Sequence, residues 1–111
     1  MAEHLMTNLE KATVLTLADL IDYAPGKVVS KTFAQRPNAG MTLLAFDAGE
    51  GLSTHAAGGD ALAQVLEGTA CITIDGVEHT LQAGNAIVMP VGIPHAVKAV
   101  TKFKMLLTLI R

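Results

Sequence analysis

The sequence predicts an all-β fold, an antiparallel sandwich or barrel, with one short helix near the N-terminus. Three observations predict it. Short apolar runs recur from Val28 to Ile110, broken by turn signals at intervals of roughly 6–12 residues. Asp75-Gly76 sits between Cys71–Ile74 and Val77–Leu81, a strong short-range hairpin signal. The last run alternates, with Phe103, Met105, Leu107 and Leu109 on one face and Lys102, Lys104, Leu106, Thr108 and Ile110 on the other.

Taken in order, residues 16–23 read as the helix. Thr16 can act as its N-cap with Asp19 three residues on, and Pro25-Gly26 stops it. Residues 1–26 thus form an N-terminal segment that packs on the barrel or on a partner, and residues 27–111 form the barrel. Val28–Ala34 is rich in β-branched residues, and Met41–Asp47 follows the turn signal Pro37-Asn38-Ala39-Gly40. Leu62–Leu66 and Ala70–Ile74 flank Glu67-Gly68. Ala83-Gly84-Asn85 turns the chain into Ala86–Met89, which ends at Pro90. His95–Val100 and Phe103–Ile110 complete the series. The second face of the last run is only partly polar, which predicts an apolar patch covered by a partner subunit or by the N-terminal segment.

A chain of 111 residues makes one domain, large enough for a real core without disulfides. With three Phe, one Tyr and no Trp, that core is aliphatic, and no aromatic platform is on offer for stacking bases. The single cysteine, Cys71, excludes an internal disulfide and a Cys-rich zinc site, and makes a reducing, cytoplasmic setting the expectation. Cys71 itself reads as a small core hydrophobe. Met1–Lys11 carries no apolar stretch of the signal-peptide kind. The longest uncharged run, Thr80–Val97, contains two prolines and two glycines, so no membrane span is expected.

Net charge is −2, unevenly spread. Residues 1–36 balance, residues 98–111 carry Lys98, Lys102, Lys104 and Arg111, and residues 37–97 hold six acids with no Lys or Arg. The sequence shows no basic stripe, so nucleic acid is not an expected partner. A strongly anionic ligand finds no cation within residues 37–97.

The middle of the chain resembles the cupin superfamily, small jelly-roll barrels with two signatures, G(X)5HXH(X)3,4E(X)6G and G(X)5PXG(X)2H(X)3N. The first maps onto Gly49, His55, Ala57, Ala61 and Gly68, the second onto Gly84, Pro90, Gly92, His95 and Ala99, with every spacing kept. Val65-Leu66-Glu67-Gly68 and Met89-Pro90-Val91-Gly92-Ile93-Pro94-His95 read the same way. The resemblance implies an antiparallel jelly-roll barrel and a homodimer. It also implies that the strands of His55 and His95 face one another across the interior. A spacing of two puts His55 and Ala57 on one face of one strand.

Family members hold a divalent transition metal with two histidines and a glutamate from the first signature and one histidine from the second. Here Ala57 stands at the second histidine position and Ala61 at the glutamate position, leaving His55 and His95. Typical sites use three or four protein ligands, often with a carboxylate. Asp60, after Gly58-Gly59, is the candidate third ligand if it turns inward, although regular strand parity points it and Gln64 away from position 61. His79, beside Glu78, reads as a surface histidine, and His4 has no assigned role. The alanines leave space and remove charge, so the expected ligand pocket is lined by His55, Ala57, Ala61, Ala63, Met89 and His95, wide and apolar, suited to a small neutral or aromatic molecule. Three readings stay open for the pair: a small-molecule-binding protein without its own chemistry, a metal-dependent oxygenase, isomerase or lyase completed by a third ligand, and a metal-free isomerase using one histidine as base.

Overall fold

A computed structural model of the chain describes residues 5–111; His4 lies outside them. After a single 3-10 turn at Leu17–Leu20 come nine strands: β1 (Val28–Arg36), β2 (Ala39–Phe46), β3 (Gly51–His55), β4 (Asp60–Glu67), β5 (Thr69–Ile74), β6 (Val77–Gln82), β7 (Ala86–Met89), β8 (His95–Ala99) and β9 (Phe103–Ile110). They form two antiparallel sheets, β1-β2-β9-β4-β7 and β3-β8-β5-β6. From β2 onward the chain crosses between sheets at nearly every step, the winding of a jelly roll.

The hairpin of β5 and β6 turns at Asp75 and Gly76, both at positive φ (50° and 80°), as a two-residue turn matching the strand twist requires. Gly68 also has positive φ, and a Cβ there would overlap the Lys102 carbonyl and crowd Phe103, so the backbone passes where no side chain fits.

Between the sheets lies the main core: Leu44, Phe46, Val65, Ile72, Leu81, Val97, Phe103 and Met105 among others. Phe46 stacks on Phe103 with ring centroids 4.4 Å apart. These two rings and the aliphatic chains around them bury the inner faces at the centre of the two sheets.

A second cluster covers the outer face of the larger sheet. Ile21 packs with Phe33, Leu43, Ala45 and Leu106, joined at its edges by Leu9, Leu17, Leu20 and Tyr23. The apolar half of the outer face of β9 is thus covered by the chain's own N-terminal segment, while Ile110, 57% exposed, remains outside that cover. Polar contacts fasten the segment. Lys104 donates from Nζ to the Ala18 carbonyl at 2.6 Å and lies 4.8 Å from the Tyr23 ring centroid. Tyr23 donates its hydroxyl to Glu67 Oε2 at 2.5 Å.

The short helix of residues 16–23 is corrected by the structure. Only Leu17–Leu20 turns, Thr16 makes no side-chain capping bond, and Ile21 is already extended. The apolar residues of the segment spread over a flat sheet face, which an extended chain covers better than a helix showing one stripe.

Candidate functional site

The link from β3 to β4 (56–59) and the link from β7 to β8 (90–94) both join the two sheets at one end of the sandwich. They are tied together there. Gly92 N–H donates to the Ala57 carbonyl at 3.0 Å, and Val91 N–H donates to Asp60 Oδ1 at 2.8 Å. This end is the mouth of the barrel. His55 closes β3, His95 opens β8, Ala61 stands near the start of β4 and Met89 at the end of β7, so the topology gathers them around it.

His55 and His95 are direct neighbours. β3 and β8 pair side by side in one sheet with His55 opposite His95, which corrects the expectation of strands facing each other across the interior. The register shift between Leu52 and His55 keeps both rings on the inner face. Ring centroids are 4.4 Å apart in an edge-to-face arrangement. His95 is 3% exposed, whereas His55 is exposed.

Each ring is oriented the same way. His55 Nδ1 lies 2.9 Å from the Ser53 carbonyl and His95 Nδ1 3.2 Å from the Ile93 carbonyl. A carbonyl only accepts, so in the neutral rings Nδ1 carries the hydrogen and Nε2 keeps its lone pair. Burial lowers the His95 pKa, the bond to Ile93 opposes that, and the neighbouring His55 lowers it further. In that tautomer each ring presents Nε2 as a hydrogen-bond acceptor.

Ala61 pairs with Met89 and Ala63 with Ile87 on the facing sheet. Ala61, Ala63 and Met89 are buried in the main core, and Ala57 is half-buried in the β3–β4 link. Ala57 lies beyond the end of β3, so it does not share a strand face with His55 as the spacing of two implies. The β3–β8 mouth was partly hidden in the sequence, because Gly51-Leu-Ser-Thr-His55 lacks the β-branched, alternating pattern of a strand.

Asp60 is exposed, and its carboxylate is occupied by the Val91 amide, where it fastens the two links. Among the described residues no group of three or more His, Cys, Asp or Glu side chains is arranged to hold a metal ion. Two imidazoles without a carboxylate or thiolate fall short of the set that fits a firmly held divalent transition metal.

Other sequence candidates lie elsewhere. His79 pairs with buried Ile72 and shares the face of Leu81, so it is half-buried at the edge of the inner layer. Cys71 is on the outer face of the smaller sheet, not in the core, with its Sγ 3.6 Å from Glu78 Oε2 in a shallow depression with Lys98. Partial burial, then the Glu78 charge, raises its pKa and keeps the thiol protonated.

The chain is similar to several proteins of known structure. The conserved protein SPY1581 of unknown function from Streptococcus pyogenes is 38% identical, with a TM-score of 0.97 over 100% of this chain and 97% of that one. A cupin superfamily protein from Desulfitobacterium hafniense is 31% identical, with a TM-score of 0.90 over 95% and 96% of the two chains. A cupin 2 conserved barrel domain protein from Leptotrichia buccalis is 42% identical, with a TM-score of 0.83 over 85% of this chain and 46% of that one. No curated protein matches the sequence significantly. Residues 42–110, which run from β2 through both signatures to the end of β9, match the cupin domain. On its two signatures, its jelly-roll winding and that match, the chain belongs to the cupin domain family.

Proposed function

We propose that this cupin binds a small, largely apolar molecule at the mouth, through a hydroxyl donated to the His55–His95 pair. One observation carries the reading. Both Nδ1 atoms face backbone carbonyls, so in that tautomer two Nε2 lone pairs are left to accept, next to core packing that includes Ala61, Ala63 and Met89. A hydroxyl-bearing ligand satisfies such acceptors, and an apolar body suits the floor. The other reading, a metal-dependent enzyme on the same histidines, needs further ligands from the bound molecule itself.

The test is an NMR titration of the full chain with 4-hydroxyphenethyl alcohol, following the imidazole nitrogens. Binding should move the Nε2 resonances of both rings and weaken about tenfold in a His55→Ala, His95→Ala variant, the loss expected for one or two hydrogen bonds. Unmoved imidazoles, or equal binding by the variant, would reject the reading. Binding that appears only after a divalent metal is added would favour the metal-dependent one.

A further inference from the structure

The floor of the mouth does not stop at Ala61 and Ala63. Two cross-strand rows run unbroken over the inner face of the larger sheet. One is Gln35, Gly40, Leu109, Ala61 and Met89; the other is Thr32, Thr42, Leu107, Ala63 and Ile87. At their β1–β2–β9 end these rows line a groove of about 220 Å³, edged by Arg111. Leu107 and Leu109 line the groove and pack against the core that holds Ala61, Ala63 and Met89, so the groove adjoins the mouth.

Arg111 is held in place there. Its amide donates to the Asn38 carbonyl at 2.9 Å, and Nη1 donates to the carbonyls of Arg36 and Pro37 at 2.9 and 3.2 Å. Those bonds use one corner of the guanidinium. The Nε–Nη2 edge, which pairs side-on with a carboxylate, makes no bond to the described residues. The sequence between residues 37 and 97 has no Lys or Arg, and the fold brings Arg111 to this groove.

We propose that this groove binds the carboxylate of a small hydroxyl-bearing carboxylic acid, with Arg111 pairing with the carboxylate and Leu107 and Leu109 under its apolar body. This rests on the reading that the hydroxyl goes to the histidine pair. Charge complementarity selects the acid over its neutral analogue, because an anion pairs with an anchored guanidinium whose ordering cost is already met.

The experiment compares 4-hydroxyphenylacetate with 4-hydroxyphenethyl alcohol, which share ring and hydroxyl and differ in the carboxylate. The acid should bind the wild-type chain about tenfold more tightly, a typical gain for a charge-assisted bidentate pair, and shift the amides of Gly40, Leu107 and Leu109. Arg111→Gln should bring the two affinities together, and this ratio within one variant is insensitive to any change in overall stability. Gly40→Leu is directed into the groove with the cation kept; a Cβ at Gly40 meets only Ala34 O and Leu109 Cβ, at 3.9 Å, so the first carbon enters without a clash. It should weaken the acid severalfold. Equal affinity of acid and alcohol for the wild type, or an acid preference that survives Arg111→Gln, overturns the assignment. If the two bind equally but both depend on His55 and His95, the groove assignment fails and the histidine reading stands. If the acid depends on Arg111 but not on the histidines, the groove stands and the histidine reading fails.

Discussion

Restoring the two missing side chains of the family pattern should convert the mouth into a metal site. The variant is Ala57→His with Ala61→Glu, which adds an imidazole and a carboxylate beside His55 and His95. Ala61 is 3% exposed and packed in the main core, so without metal the new carboxylate is buried unpaired and should cost about 2–4 kcal/mol. Metal bound only by the folded state reverses this, giving about 2.7 kcal/mol at a hundred times Kd. At about 4 °C per kcal/mol for a chain of this size, the melting midpoint should rise by about 10 °C on adding Ni(II) or Co(II). Thermal melts with and without metal read the effect, and the visible spectrum of Co(II) reports the ligand field. An equal metal-induced rise in the wild type would overturn this expectation, since two imidazoles would then suffice. No rise in the variant would show that positions 57 and 61 do not converge on the histidines.

Three further outcomes follow from the structure. Because burial lowers the His95 pKa below its ordinary 6.5, the unfolded chain binds that proton more readily than the folded one. Stability should therefore be full above about pH 6.5 and fall as pH drops through the window beneath it, and urea melts of His95→Gln should show a shallower fall. Tyr23 is the only tyrosine, and burial followed by its Glu67 bond pushes its pKa well above 10. An ultraviolet titration should show no tyrosinate at pH 10–11, and Tyr23→Phe should lower stability by about 1–2 kcal/mol by removing a charge-assisted bond. Gly68→Ala should destabilise by more than about 3 kcal/mol, combining positive φ with overlap of the Lys102 carbonyl; chemical denaturation at wild-type level would contradict that.

Much of this architecture was legible in the chain. The runs Ala86–Met89 and Phe103–Ile110 are strands with those bounds, and Asp75-Gly76 is the hairpin turn, because period-two alternation and a turn needing positive φ are local properties. The histidine pair was legible through the spacing of two signatures that lie far apart in sequence. What was hidden depended on distant contacts. Residues 16–23 carry helical signals, yet Leu17, Leu20, Ile21 and Tyr23 lie across Phe33, Leu43 and Leu106, and that packing decides their conformation. The polar edge strand Gly51–His55 has no strand signature of its own and takes its form from pairing with β8. Asp60 looks like a free carboxylate until the β7–β8 link brings the Val91 amide to it. Arg111 edges the groove because β9 pairs with β2, whose partner β1 forms the far side.

In the proposed function the mouth keeps a pair of histidines as hydrogen-bond acceptors for an organic ligand, without a resident metal. The most direct measurement is elemental analysis of metal per chain on tag-free protein, beside the His55→Ala, His95→Ala variant, after incubation with divalent ions and desalting. Well below one equivalent is expected in both proteins. About one equivalent of Fe, Mn, Ni, Cu or Zn in the wild type, lost in the variant, would contradict it.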